Sequence, residues 1–372
     1  MYASCRITLI LVAVSAITAT GDTNSKRDLS RQVFFDLRTQ QTLYAGPGRL
    51  KHPPADVKEV LIGYFGPNAP SDSQRHDMYH AACLAIEQAN RAGGYNGLPF
   101  RLVPGWSGNP WQSGAAEVVR MAYTHKVWAI IGGIDGPSTH VAEQVVAKAR
   151  LTLLNPGSTD RSVNLANVPW MFSCLPGDHL QAPVLAQAIA SYVRLCRKTP
   201  SSARERAIFS PGKDGEVRLR RRCSQAKKGP LEARSGFPTE PMENPFLLVS
   251  STDHDSHLFA VELNGPLAQR RLAPCYHFEF KPGQRDYSRL AEKIVQAEAH
   301  ALVLIAAAEE SAQLICAVRE KGFKGSVFGG PRMGSRSFLK KAGKAAEGVI
   351  FPLLYTPGKK SIGGTHHLPF LS

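Results

Sequence analysis

The sequence predicts an α/β protein built as two doubly wound, parallel-sheet lobes with a cleft between them. Three observations predict it. Apolar strand-like runs alternate with helix-like runs along two separate stretches, the pattern of repeated βα units and parallel sheets. A basic stretch without periodicity separates the two series. Glycine-rich and hydroxyl-bearing loops follow neighbouring strands in the first series, where open α/β sheets hold ligands.

The first series begins with "VKEVLIGYF", a strand, followed by "HAACLAIEQANRAGG", a helix closed by a double glycine. "LPFRLVPGW" is a second strand and "WQSGAAEVVRMAYTHK" a second helix. "VWAIIGG" is nearly all apolar, as expected of a strand buried on both faces. "THVAEQVVAKAR" is a third helix and "LTLLNPGST" a fourth strand. The second series opens with "PFLLVSSTDHD", a strand ending in a polar loop, and the helix "SHLFAVELNGPLAQR". "APCYHFEF", "HALVLIAAA", "GSVFGGPRM" and "EGVIFPLLYTPG" are its further strands. "DYSRLAEKIVQAEA" and "ESAQLICAVREKGF" are its further helices. The first lobe is assigned to 57–193 and the second to 246–356.

Around these lobes the chain changes character. Residues 1–20 combine Arg6, an apolar run and a small-residue region, which reads as a signal peptide rather than a membrane span. The polar stretch 21–56 reads as a linker, and 357–372 as an irregular tail. The 372-residue chain has a formal net charge of +15. Residues 194–234 hold 13 Lys/Arg against 4 Asp/Glu, so +9 of that charge sits in one segment. A nucleic-acid-binding face would spread over folded elements; a local run reads as solvated, and no nucleic acid is expected. The segment 194–245 is therefore expected to be a disordered insertion.

Beyond the leader lie Cys83, Cys174, Cys196, Cys223, Cys275 and Cys316, none in a C-x-x-C pair, so a zinc ribbon is not expected. Cys83 and Cys316 read as core residues, and only Cys196 and Cys223 flank the basic segment in a way that could close a loop.

The loop "IIGGIDGPST" is neither a P-loop, since no Lys follows its glycines, nor a nucleophile elbow. Its glycines permit a sharp turn, and Ser138 or Thr139 can cap the helix that follows. Exposed amides at that helix start suit an anion such as a carboxylate.

These stretches, with "IGYFGP", "AIEQANRAGGYNGLPFRLV" and "VPWMFSCLPGD", resemble the type 1 periplasmic binding proteins. Among these they are similar to the branched-chain amino-acid-binding proteins of ABC transporters. The resemblance covers about 57–193 and 246–356. It implies a secreted, periplasmic solute-binding protein that is not an enzyme and needs no cofactor. It would capture a small carboxylate-bearing ligand, an amino acid or related compound, and pass it to a membrane permease. It places Asp135, Gly136, Ser138 and Thr139 of the first loop at the ligand. Ser158 and Thr159 of the next loop join them, with Tyr64 and Phe65 at the cleft mouth.

In the second lobe the sequence departs from the family. Asp255 stands near the place of an aromatic residue, and Arg332 stands in the loop where relatives carry an acid for the ammonium. Arg332 suits a dicarboxylate, keto acid or peptide-like ligand, while Asp253 or Asp255 could meet an ammonium. The run Asp253, His254, Asp255 and His257 offers metal-ligand types, but consecutive loop residues seldom converge on one ion, so no metal is assigned. Relatives continue beyond "FPLLYTPG", so the return of the chain to the hinge is expected to be incomplete and the first lobe better ordered than the second. An extracytoplasmic ligand sensor using the same cleft and a degraded, non-functional copy are the alternatives.

Overall fold

The computed structural model describes residues 10–11, 56–68, 76–106, 108–198, 207–211, 217–221 and 245–353. Apart from the two-residue strand β1 (Ile10–Leu11), the assigned leader lies outside the described residues, as do the linker up to residue 55 and the tail.

The first lobe follows the order expected from its alternation. It runs β2 (Val60–Phe65), α1 (His76–Arg91), β3 (Phe100–Gly105), α2 (Ala115–Val119), β4 (Ala129–Gly132), α3 (Gly136–Ala149), β5 (Thr152–Asn155) and β6 (Met171–Ser173). Turns of π-helix, Pro110–Gly114 and Arg120–Thr124, flank α2. The strands form one sheet in the order β3-β2-β4-β5-β6, all parallel. The short strand β6 gives no periodicity of its own and is not foreseen by the sequence reading.

Strand geometry sends alternate side chains to opposite faces. Val103, Ile130, Leu153 and Met171 lie on one face, packed against Val118 and Met121 from the α2 segment and Ala142 and Val146 from α3. The opposite face is covered at β2, where Tyr64 packs on Tyr79 of α1, but opens toward β5 and β6. Ile131, Leu154 and Phe172 are aligned across three strands by the register, and the last two are 38% and 55% exposed. β4 is thus covered less evenly than its apolar sequence suggests.

The next helix, α4 (Asp178–Lys198), changes lobes. Ala182, Leu185, Ala186, Ile189, Tyr192, Val193 and Cys196 pack against Leu248, Val303, Ile305 and Phe328 of the second sheet. The sequence reading ended the first lobe at 193, but packing ends it before α4. Periodicity identifies the buried stripe of a helix without saying which sheet receives it. Within 194–245, α4 continues to Lys198, and β7 (Ala207–Pro211) pairs antiparallel with β8 (Val217–Arg221). The other residues of that segment up to 244 lie outside the described set, Cys223 among them.

The second lobe runs β9 (Leu247–Ser251), α5 (His254–Gln269), β10 (His277–Phe280), α6 (Ser288–Gln296), β11 (Ala301–Ile305), α7 (Ala308–Glu320), β12 (Ser326–Gly329), α8 (Arg336–Ala342) and β13 (Pro352–Leu353). Its sheet has the order β10-β9-β11-β12, again all parallel. β9 and β11 are buried along their whole length. Leu247, Val249, Leu302 and Leu304 face a core closed by α6, α7 and α8, while Leu248, Ala301, Val303 and Ile305 face α4 and α5. β13 pairs with β1, and Ile350 forms a bridge to Phe328. Among the described residues no helix is long and apolar enough to cross a membrane.

Candidate functional site

The "GGIDGPST" loop forms a cap. Gly133 has φ +64, and a Cβ there would collide with Thr139 Oγ1, so the turn needs glycine. Asp135 is the N-cap of α3, and its carboxylate accepts from the Ser138 N–H at 2.9 Å. Ser138 Oγ accepts from the N–H groups of Ile134 and Asp135 at 3.0 and 3.2 Å, completing a capping box. Thr139 Oγ1 donates to the Asp135 carbonyl at 2.7 Å. The sequence reading placed both hydroxyls at a ligand; instead they are buried and hold the helix start.

Tyr64 and Phe65 are also corrected. Both are 0% exposed, Tyr64 packed against the Tyr79 ring and Phe65 against Trp106. The strand β2 ends inside the lobe, so neither reaches the cleft mouth. Ser158 is buried, its Oγ accepting from the Asp160 N–H at 3.2 Å. Thr159 accepts the Asp178 N–H on its carbonyl at 2.8 Å.

The remaining assigned residues do meet across the lobes. Asp255, in the first turn of α5, turns its carboxylate toward the start of α3. Oδ1 accepts from the Gly136 N–H at 3.1 Å, and Oδ2 pairs with the Arg332 guanidinium. Beside this contact is a cavity of about 190 Å³ lined by Asp135, Asp253, His254, Asp255, Glu310 and Arg332, among others. Asp253 Oδ2 and Glu310 Oε2 are buried there without a hydrogen-bond partner among the described residues.

Electrostatics follow from the crowding of acids around one guanidinium. Burial alone would lower the Arg332 pKa, but Asp255, Asp253, Asp135 and Asp178 hold it above its ordinary value. Burial pushes the Asp255 carboxyl up, opposed by Arg332. Asp253 is also buried, yet Ser256 and Arg332 hold it below the usual range. Asp178 is raised to about 7 by burial, with Asp255 and Asp160 adding to the rise.

Asp253, His254 and Asp255 diverge despite being consecutive. Asp253 caps α5 by accepting from the Ser256 N–H at 3.1 Å, Asp255 faces Gly136, and His254 reaches back to the first lobe. Its Nε2 lies 2.8 Å from Asp160 Oδ2, and His140 Nε2 of α3 lies 3.0 Å from the same oxygen. Gly136 makes this close approach possible. A Cβ there would come within 2.9 Å of Asp255, His254 and Asp160 side-chain atoms at once. An exposed ion pair, Arg161–Glu262 at 3.3 Å, adds a further link between the lobes. Sequence reasoning missed His140, Asp160, Asp178 and Glu310, which carry no local motif.

Two parallel-sheet lobes meeting at a polar cleft, with loops at strand ends facing each other, have the fold of the type 1 periplasmic binding proteins. Residues 60–194 match the family model described as periplasmic binding protein. The chain is 28% identical over 139 residues to an amino acid binding protein of Pseudomonas aeruginosa, covering 37% of each. It is 26% identical over 161 residues to the leucine-, isoleucine-, valine-, threonine-, and alanine-binding protein of the same organism, covering 43% of this chain and 42% of that one. The matches thus span less than half the length of these relatives.

Both lobes share the fold of LivJ, the branched-chain amino acid transporter substrate-binding protein of Streptococcus pneumoniae, solved with isoleucine. The TM-score is 0.56 at 16% identity, over 77% of this chain and 68% of that one. The leucine-binding protein LivK of Thermotoga maritima gives 0.55 at 15%, over 77% and 67%.

Proposed function

We propose that this chain captures a small carboxylate-bearing solute, an amino acid or close relative, between its lobes. We further propose that it works outside the cytoplasm, in the periplasm, and hands the solute to the permease of an ABC importer. The observation that carries the reading is the position of Asp255. A carboxylate there sits between the amide at the start of α3 and the Arg332 guanidinium, each from a different lobe. Helix N-terminal amides and guanidinium are the donors a free carboxylate would use. The cleft is thus built to receive a carboxylate, and Asp255 fills that position from within the protein.

A ligand carboxylate would compete with Asp255 for both donors. Its ammonium, if it has one, would lie toward Asp253 Oδ2 and Glu310 Oε2, two buried cavity-lining oxygens without a hydrogen-bond partner among the described residues. Nothing in this chemistry requires a bond to be broken. The function is retention: closing two lobes on a ligand makes a surface that a partner can recognise.

Asp255→Ala removes the internal competitor, so calorimetric titration with amino acids and keto acids should give tighter binding than in the unaltered chain. Arg332→Met should weaken binding roughly 10- to 100-fold, the value of about 1.5–3 kcal/mol for a hydrogen bond to a charged group. The reading fails if no carboxylate binds Asp255→Ala more tightly, or if Arg332→Met leaves affinity unchanged.

A further inference from the structure

We propose that His140, Asp160 and His254 form a site for a divalent transition-metal ion, Zn²⁺ in the first instance, that joins the two lobes. The three donor atoms come from different elements: α3, the loop after β5, and the start of α5. They lie within 4.8 Å of one another. Two imidazoles and one carboxylate are a donor set that zinc accepts, commonly with water in a fourth position.

The surroundings orient each donor. Asp160 Oδ1 is held by the Ser162 N–H at 2.7 Å and the Ser162 hydroxyl at 2.6 Å, which leaves Oδ2 facing both imidazoles. The carboxylate is almost fully buried at the lobe boundary. His140 Nδ1 contacts Glu143 Oε2 at 3.2 Å. A carboxylate on the far ring nitrogen fixes the tautomer that presents Nε2 to a metal. The two rings stand at 84° with centroids 6.0 Å apart, so they approach Oδ2 from different directions.

The distances are close to those a metal needs. Bonds of about 2.0–2.1 Å in a tetrahedron place ligand atoms roughly 3.3 Å apart. The two imidazole-to-Oδ2 distances are 3.0 and 2.8 Å. A slight parting of each imidazole from Oδ2, with adjustment of the two imidazole nitrogens that now lie within 4.8 Å of each other, would admit the ion, with loss of the protons that the imidazoles now share with Asp160. His140 and Asp160 belong to the first lobe and His254 to the second. Bound metal therefore favours the closed arrangement over any open one, by mass action. The metal site shares His254 with the cavity lining but needs no solute, so metal binding can be measured apart from the proposed transport role.

The test uses the full chain, stripped with chelator and titrated with Zn²⁺ in the absence of amino acids. One Zn²⁺ should bind per chain, reversibly to chelator, with a decrease in radius of gyration by solution scattering. His140→Ala and His254→Ala should each weaken it at least tenfold, and Glu143→Gln by about tenfold, as for loss of an orienting partner. Circular dichroism without metal reports whether the variants fold. Co²⁺ added to the unaltered chain gives a second reading: visible bands of a four-coordinate nitrogen and oxygen site support the proposal. No binding below 100 μM, equal binding by His254→Ala, or a six-coordinate Co²⁺ spectrum overturns it.

Discussion

The two sheets are built from the same βα repeat, yet they are covered differently. In the second sheet β9 and β11 are buried along their full length, with one core beneath α6 to α8 and another beneath α4 and α5. In the first, one face holds Val103, Ile130 and Leu153 in a core, while Leu154 and Phe172 on the other remain partly in water. The difference comes from α4, which follows the first sheet in sequence and packs on the second. Lobe membership is decided by where an apolar stripe is buried, and chain order alone misassigns it.

That contrast can be tested most directly with matched truncations. Leu248→Ala, in the core beneath α4, should cost roughly 2–5 kcal/mol, whereas Leu154→Ala on the exposed face should cost under about 1 kcal/mol. Denaturant titration of both variants decides it. Equal losses would mean that the face of the first sheet is as well covered as the second. Hydrogen exchange gives the same comparison without mutation, with β9 and β11 expected to outlast β5 and β6. This reverses the order of stability expected from sequence alone.

The boundary between the sheets should respond to Gly136→Ala. Its methyl group would meet Asp255, His254 and Asp160 together, so the lobes must separate or three side chains must move. Overpacking of this kind costs about 1–3 kcal/mol. The expected outcome is a larger radius of gyration by solution scattering, with each lobe's helix content intact. An unchanged radius and melting temperature would show that the three side chains yield easily.

A smaller effect belongs to Asp178, where α4 leaves the first lobe. Its carboxyl is raised to about 7, chiefly by burial, even though it sits in the first turn of a helix. A raised folded pKa means that protonation favours the fold. That contribution is complete below about pH 3.8, the ordinary value of an aspartate, and is lost as pH rises through about 7. Asp178→Asn should therefore gain melting temperature relative to the unaltered chain between pH 4 and pH 8, by the equivalent of about 1–2 kcal/mol after solvent screening. A difference that stays flat across this range would refute the assignment.

Much of this fold was legible in the sequence. Strands such as "HALVLIAAA" and "VWAIIGG" stand out because parallel strands read as apolar runs, and Asp135 through Thr139 read as a helix start because caps are local. The resemblance brought Gly136, Asp255 and Arg332 to one cleft, and the structure does place them in contact. It did not foresee that Asp255 and Arg332 would satisfy each other. Tyr64 and Phe65 were misread because an aromatic pair at a strand end looks the same whether it faces a cleft or a core. His140, Asp160 and His254 lie up to 114 positions apart, and no local pattern can express a juxtaposition formed only when two lobes dock.

The path of α4 also fixes where the protein can be divided. A fragment beginning at Asp178 would carry the helix that seals its own sheet, and could be tested as an independent folding unit. A cut at 193, where sequence reading puts the boundary, would strip Leu248, Val303 and Phe328 of their cover and leave a detached apolar helix on the other piece. Dissection of the molecule into halves, or the grafting of one half onto another protein, should therefore follow the junction at 174–177.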